Sequence, residues 1–144
     1  MEVNGVRTSY RYGASILIAL VFFSNVKAGI AFLFQPHKYA WAYELNGMPG
    51  EIAIAGTGLL FLMWNVPYLF ALLNPVRFKI SLLQALLMQL IGLVGETLLL
   101  TQIRVDAHTV LHNSIMRFIV FDAAGLLCLL AALFLVSSPS GKVK

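Results

Sequence analysis

Residues 52–73 read IAIAGTGLLFLMWNVPYLFALL, and residues 80–103 read ISLLQALLMQLIGLVGETLLLTQI. Only Asn74 to Lys79 separate them. Each run exceeds the ~20 residues that a helix needs to cross a bilayer. A barrel strand is shorter and alternates in polarity, so both runs read as spanning helices. The short polar turn between them, with Asn74-Pro75, makes the pair an antiparallel hairpin.

Two further runs flank this hairpin. One extends from about Gly13 to Phe34, and the other from about Val110 to Val136, where Ser137-Ser138-Pro139 follows. The first is longer than a signal-peptide core and is read as a retained span. The predicted fold is therefore all-α, an antiparallel four-helix bundle integral to a membrane. Its predicted spans are 13–34, 52–73, 80–103 and 110–136, in a single domain over 1–144. The connection Gln35 to Glu51 is long and carries Tyr39, Trp41 and Tyr43. Such aromatics favour the membrane–water boundary, which predicts a short interfacial segment there.

Composition agrees. The 144 residues are 60% hydrophobic and 11% charged, with a mean hydropathy of +0.85. A soluble domain carries roughly 25% charge, so an ordinary cytosolic enzyme and a disordered tail are excluded. The single cysteine, Cys128, excludes a dithiol relay and an internal disulfide. No phosphate loop or metal-protease motif is present. The net charge of +4 reflects loops and tails and does not point to nucleic acid. Arg7, Arg11, Arg77, Lys79, Lys142 and Lys144 fall on one face of the predicted topology, with Lys38 and Arg104 on the other. By the positive-inside rule both termini are cytoplasmic, and a plasma or inner membrane is the expected home.

Four charged residues fall inside the spans: Lys27, Glu96, Arg117 and Asp122. Each costs ~2.5–3.5 kcal/mol at a helix centre on insertion scales. Two cations and two anions are expected to neutralise one another or to meet water. At ~1.5 Å per residue, Lys27, Glu96 and Arg117 each lie ~10 Å from the outer end of their helix, and Asp122 lies ~18 Å deep. Asn25, Asn65 and Gln89 share the middle layer with Asp122.

Helical spacing supports an inward polar face. Ser81, Ala85, Gln89, Gly92 and Glu96 form one stripe, with Leu83, Leu87, Leu90, Val94 and Leu98 left for lipid. Glu51, Gly58 and Asn65 recur every seven residues. Ser24, Lys27, Ala28 and Ala31 form a small or polar face on the first helix, and Asn113, Arg117 and Ala124 share a face on the last. Asp122 is ~140° from Arg117 around its helix, so Asp122 is expected to meet a different helix. Pro67 frees the carbonyl of Met63, and Trp64, Asn65 and Tyr68 beside it are candidates for a pocket wall.

The candidate ligand-binding or buried polar set is therefore Asn25, Lys27, Trp64, Asn65, Gln89, Glu96, Arg117 and Asp122. A structural ion network and a ligand, proton or ion site are both open on these residues. His37, His108 and His112 are weak metal candidates. His108 and His112 share a face by their i, i+4 spacing, but no acidic or thiol ligand is firmly placed beside them. Haem is disfavoured because no histidine falls at mid-span. A quinone or a lipid between the helices near Trp64, Gln89 and Glu96 is compatible with the residues, which do not choose between them.

The stretch Leu17 to Phe23, then Lys27, Gln35-Pro36, Tyr39 to Tyr43 and Gly47-Met48-Pro49, resembles the DoxX-like family of small four-helix membrane proteins. The resemblance covers about the first third of the chain and the four-helix count. It implies an accessory role beside a membrane redox enzyme, or a quinone-linked one. The leading functional expectation is a non-catalytic accessory or assembly subunit of a larger membrane complex, since little mass lies outside the spans. Partner membrane subunits or further copies of the chain would then surround it. The alternatives are an intramembrane site for a quinone- or lipid-like molecule, and a proton or ion path through Glu96, Gln89 and Asp122 in an oligomer.

Overall fold

The computed structural model describes residues 2–137, with side chains from Tyr10 onward. Helix α1 spans Glu2–Phe34, and a short helix α2 (His37–Ala40) continues into a 3₁₀ turn at Trp41–Tyr43. Helices α3 (Gly47–Leu73), α4 (Lys79–Leu100) and α5 (Thr109–Ser137) follow. Among the described residues there is no strand. Segments of α1 (Tyr10–Phe34), α3, α4 and α5 are each long and apolar enough to cross a membrane. The chain is thus a small all-α membrane protein with four transmembrane-capable helices.

The helices pack as a ring: α1 on α3, α3 on α4, α4 on α5, and α5 back on α1. Neighbours run antiparallel, and the first half of α1 lies beside the last turns of α5, where a Cβ on Gly13 would touch Leu135. Lys142 and Lys144 lie outside the described residues.

Several boundaries differ from the sequence reading, for identifiable reasons. Helix α1 begins at Glu2 because helical hydrogen bonding does not require apolar side chains. At ~1.5 Å per residue its 33 residues measure ~50 Å, more than a ~30 Å hydrocarbon core. Helix α3 starts at Gly47 because Pro49 falls in its first turn, where a missing N–H costs nothing. Helix α4 stops at Leu100, and Thr101 to Ile103 form turns. The segment expected between the first two spans is α2 and its 3₁₀ turn. The α3–α4 turn is closed by Asn74, whose Oδ1 accepts from the Arg77 N–H at 3.1 Å, and by the buried Pro75.

Two apolar clusters divide the bundle along its length. Near the chain ends, Ala14, Ile18, Val21, Tyr68, Ala71, Leu82, Ala85, Leu129 and Ala132 pack together. Near the α2 end, Phe32, Ala40 and Ile54 pack with Tyr39, Tyr43, Phe61 and Phe118. Helices α1 and α3 cross most closely at Gly29 and Gly58. A Cβ on Gly58 would lie 2.6 Å from the Leu33 nitrogen and 2.7 Å from the Gly29 carbonyl oxygen. Small residues allow such backbone approach, which is how membrane helices associate without a hydrophobic driving force. Between the two clusters lies a polar layer.

Candidate functional site in the polar layer

The buried stripe of α4 is Ser81, Leu82, Ala85 and Gln89, and Gly92 and Glu96 continue it half-buried. Leu83, Leu87, Leu90, Val94 and Leu98 are exposed on the outer surface. Helix geometry alone produces this division, because residues three and four apart share a face.

Gln89 sits at the centre of a hydrogen-bonded chain across three helices. The Tyr68 hydroxyl of α3 donates to Gln89 Oε1 at 2.7 Å, with the Ala85 carbonyl also within reach at 3.1 Å. Gln89 Nε2 donates to Asp122 Oδ1 of α5 at 2.8 Å, and lies 3.4 Å from the Asp122 carbonyl. Two glycines make room for this approach. A Cβ on Gly92 would collide with Asp122 Oδ2, and one on Gly125 would lie 2.7 Å from Gln89 Nε2. The spacing is reciprocal: Gln89 precedes Gly92 by three residues on α4, and Asp122 precedes Gly125 by three on α5. Each helix presents a polar side chain and, one turn on, a gap for the partner's.

A cavity of about 80 Å³ adjoins this chain. Asn25, Asn65, Gln89, Glu96 and Asp122 supply its polar lining, with Gly92 between them. Phe61, Trp64, Tyr68 and Met88 supply the apolar walls. Phe61 and Trp64 meet edge to face at 6.1 Å between ring centres. Asn65 is only 4% exposed. Its Nδ2 donates to the Phe61 carbonyl at 2.6 Å, while its Oδ1 is buried without a hydrogen-bond partner. Glu96 Oε2 is also buried without one. Two acceptors of the lining are therefore unsatisfied by the protein.

The cavity gathers Asn25, Trp64, Asn65, Gln89, Glu96 and Asp122 from the expected set. Lys27 and Arg117 stand apart. Both are exposed, and no ion pair among the described residues joins either one to Glu96 or Asp122. The inward face of α1 carries Val21, Asn25, Gly29 and Phe32, which turns Ser24 and Lys27 outward. Lys27 lies in a groove with Ile16, Leu20 and Phe23. On α5 the buried positions are Ser114, Gly125, Leu129 and Ala132, which leaves Asn113, Arg117 and Ala124 exposed. Long basic side chains lay their stems on apolar surface and carry the charge toward water, so neither needs a buried partner. Asp122 meets α4 rather than Arg117.

A second polar contact, without any local signature in the sequence, joins the α2 end to α5. Glu44 adopts a left-handed backbone (φ 56°). Its Oε2 lies 2.6 Å from His108 Nδ1, and its Oε1 accepts from the Leu111 N–H at 3.4 Å. A carboxylate in the first turn of a helix is favoured by the unpaired N–H groups there. The hydrogen bond from His108 holds the Glu44 carboxyl below its usual value; the Leu111 N–H and the His108 charge add to this, and partial desolvation opposes it. Burial pushes the Tyr43 hydroxyl up, and the nearby Glu96 charge adds to this. His37, His108 and His112 do not assemble a centre: among the described residues no three of His, Cys, Asp and Glu gather as a metal site.

The size of the cavity limits what enters. An apolar cavity of ~150 Å³ accepts benzene, about twice the volume found here. The enclosed part is thus too small for a whole quinone ring, and the space opens outward past Trp64, which is half exposed. A molecule of a few heavy atoms fits the enclosed part. No protein family matches the chain, and neither does any curated protein or solved structure.

Proposed function

We propose that the chain is an intramembrane binding protein for a small molecule that donates hydrogen bonds, held between α3, α4 and α5. The observation that carries this reading is the pair of buried acceptors, Asn65 Oδ1 and Glu96 Oε2, that lack donors beside one cavity. A buried polar atom left unpaired costs ~1–3 kcal/mol. A bound molecule with two donors removes both costs once the Asn65 and Glu96 side chains, which line the cavity, turn these oxygens toward it. Aromatic and thioether walls with a few convergent polar groups are the usual construction of a small-molecule site.

This reading stands ahead of the accessory-subunit reading, which rests on the small mass outside the spans and on the resemblance of the first third of the chain to DoxX-like proteins, and on no feature of the polar layer. It also stands ahead of a proton path, because the hydrogen-bonded chain from Tyr68 to Asp122 runs across the bundle between neighbouring helices rather than along its length. The excess of Lys and Arg at the α3–α4 turn supports cytoplasmic termini in a plasma or inner membrane. Reporter fusions at each terminus test that orientation.

Native mass spectrometry after gentle extraction tests the binding reading. The expected result is a bound small molecule that is lost in Glu96→Gln or Asn65→Leu, while Leu87→Ala on the lipid face retains it. A chain that carries nothing, and whose stability no small molecule raises, refutes the reading.

A further inference from the structure

Resting on that reading, we infer that the molecule held in this cavity is a small primary ammonium ion with a short alkyl group. Three independent properties of the lining select it. The first is charge. Glu96 and Asp122 both line the cavity, no basic side chain does, and Lys27 and Arg117 lie outside it. A cation supplies the charge that the protein leaves out.

The second is hydrogen bonding. Asn65 Oδ1 and Glu96 Oε2 are acceptors without donors. Asp122 gives Oδ1 to Gln89 and keeps Oδ2 facing Gly92, which also lines the cavity. That makes three acceptors, and an –NH₃⁺ group carries three donors and no acceptor. Asn65 is nine-tenths buried, so the surrounding water does not reach its oxygen freely. A quaternary ammonium brings charge without donors and leaves all three acceptors unpaired. A neutral alcohol brings one donor and no charge.

The third is the remaining wall. Phe61, Trp64 and Tyr68 present rings, and ring faces attract cations by ~0.5–2 kcal/mol. These rings also receive a short alkyl chain. A calcium or magnesium ion takes six or more oxygen ligands, which a wall of rings and a thioether does not supply. At about 80 Å³, the space limits the alkyl group to a few carbons.

The test compares small probes that differ in charge and in hydrogen-bond donors, on the unmodified chain in detergent or nanodiscs. Propylammonium, 1-propanol, tetramethylammonium and sodium ion are titrated, with thermal stability as the readout. Trp64 fluorescence is followed in parallel in Trp41→Phe, where Trp64 is the sole tryptophan. Propylammonium should bind at least about tenfold more tightly than 1-propanol, a difference of ~1.4 kcal/mol. Glu96→Gln and Asp122→Asn should each weaken it by a similar factor, and Lys27→Ala and Arg117→Ala should not. Equal binding of propanol overturns the ammonium assignment and leaves the cavity a site for a neutral molecule. Equal binding of tetramethylammonium overturns the donor argument, and saturation by sodium assigns an inorganic cation instead. If no probe binds while native mass spectrometry shows a different bound molecule, the ammonium falls and the binding reading survives. If both are blank, both fall.

Discussion

Gly92→Ala and Gly95→Ala are the same chemical change, three residues apart on α4, and the structure predicts different outcomes for them. Around Gly95 no atom lies within 4 Å of an added Cβ, whereas at Gly92 that Cβ meets Asp122 Oδ2. Replacing a helical glycine by alanine stabilises by roughly 0.5–1 kcal/mol through lost backbone freedom. Both variants receive that gain. Gly92→Ala must also displace the Asp122 carboxylate, which Gln89 holds at 2.8 Å. An interhelical hydrogen bond in a membrane protein averages ~0.6 and reaches ~1.7 kcal/mol. If the carboxylate resists, overpacking costs ~1–3 kcal/mol. The gap between the two variants is therefore expected at roughly 0.6–3 kcal/mol, with Gly95→Ala the more stable. Unfolding by SDS in mixed micelles, followed by far-UV circular dichroism, measures it. In an Asp122→Ala background the gap should shrink below ~0.5 kcal/mol, the usual limit of additivity. Equal stability in the unmodified chain refutes the interlock of α4 with α5. A gap that survives Asp122→Ala shows that another contact causes it.

The other predictions concern the α1–α3 crossing, the α5 start and the polar chain. Gly58→Ala places its Cβ against the α1 backbone, so it should destabilise by ~1–3 kcal/mol, while Gly56→Ala, which meets nothing, should stabilise; the same SDS titration decides. The Glu44 carboxyl titrates below its usual value of 4.5, so its stabilising contribution is complete above that pH and is lost as the pH falls through the lowered folded value. Melting curves of the unmodified chain and Glu44→Gln should therefore differ at neutral pH and converge in acid; a difference that persists in acid contradicts the cap. Tyr68→Phe removes the donor to Gln89 Oε1 and should cost ~0.6–1.7 kcal/mol, and an unchanged SDS midpoint would show that Gln89 has found another partner.

The four-helix architecture was legible because apolar run length and polar turns are local properties. The inward stripe from Ser81 to Glu96 was legible for the same reason, since helical spacing alone places it on one face. Pairing Asp122 with another helix followed from its angle to Arg117. The role of Lys27 was not legible from charge and depth. Charge says that a lysine avoids lipid, but its long stem lets it leave the hydrocarbon outward as readily as inward, and Asn25 and Gly29 decide the inward face of α1. Arg117 is the same case on α5. Glu44 was missed because its partners, His108 and Leu111, are 64 and 67 residues away. Contact across a bundle leaves no periodic trace. The reciprocal Gln89–Gly92 and Asp122–Gly125 spacing was present in the sequence, yet it acquires meaning only when α4 and α5 are known to be antiparallel neighbours.

The polar layer contains two sets of groups, and Asp122 belongs to both, with Oδ1 held by Gln89 and its residue lining the cavity. Tyr68, Gln89 and Asp122 satisfy one another and tie α3, α4 and α5 together. In lipid, where helices gain nothing by hiding apolar faces from one another, such bonds and close glycine contacts supply much of the association. Helix α1 joins through the second device, at Gly29 and Gly58. Neither device uses Asn65 Oδ1 or Glu96 Oε2, which remain buried and unpaired beside the cavity. A layer serving packing alone would satisfy its acceptors or replace them with apolar groups of the same shape, a change that is often neutral or stabilising. Removing the Glu96 charge should therefore leave the bundle folded while it weakens binding about tenfold, whereas removing Gln89 should weaken both. That separation is the physical ground for reading Asn65 and Glu96 as groups that face a ligand.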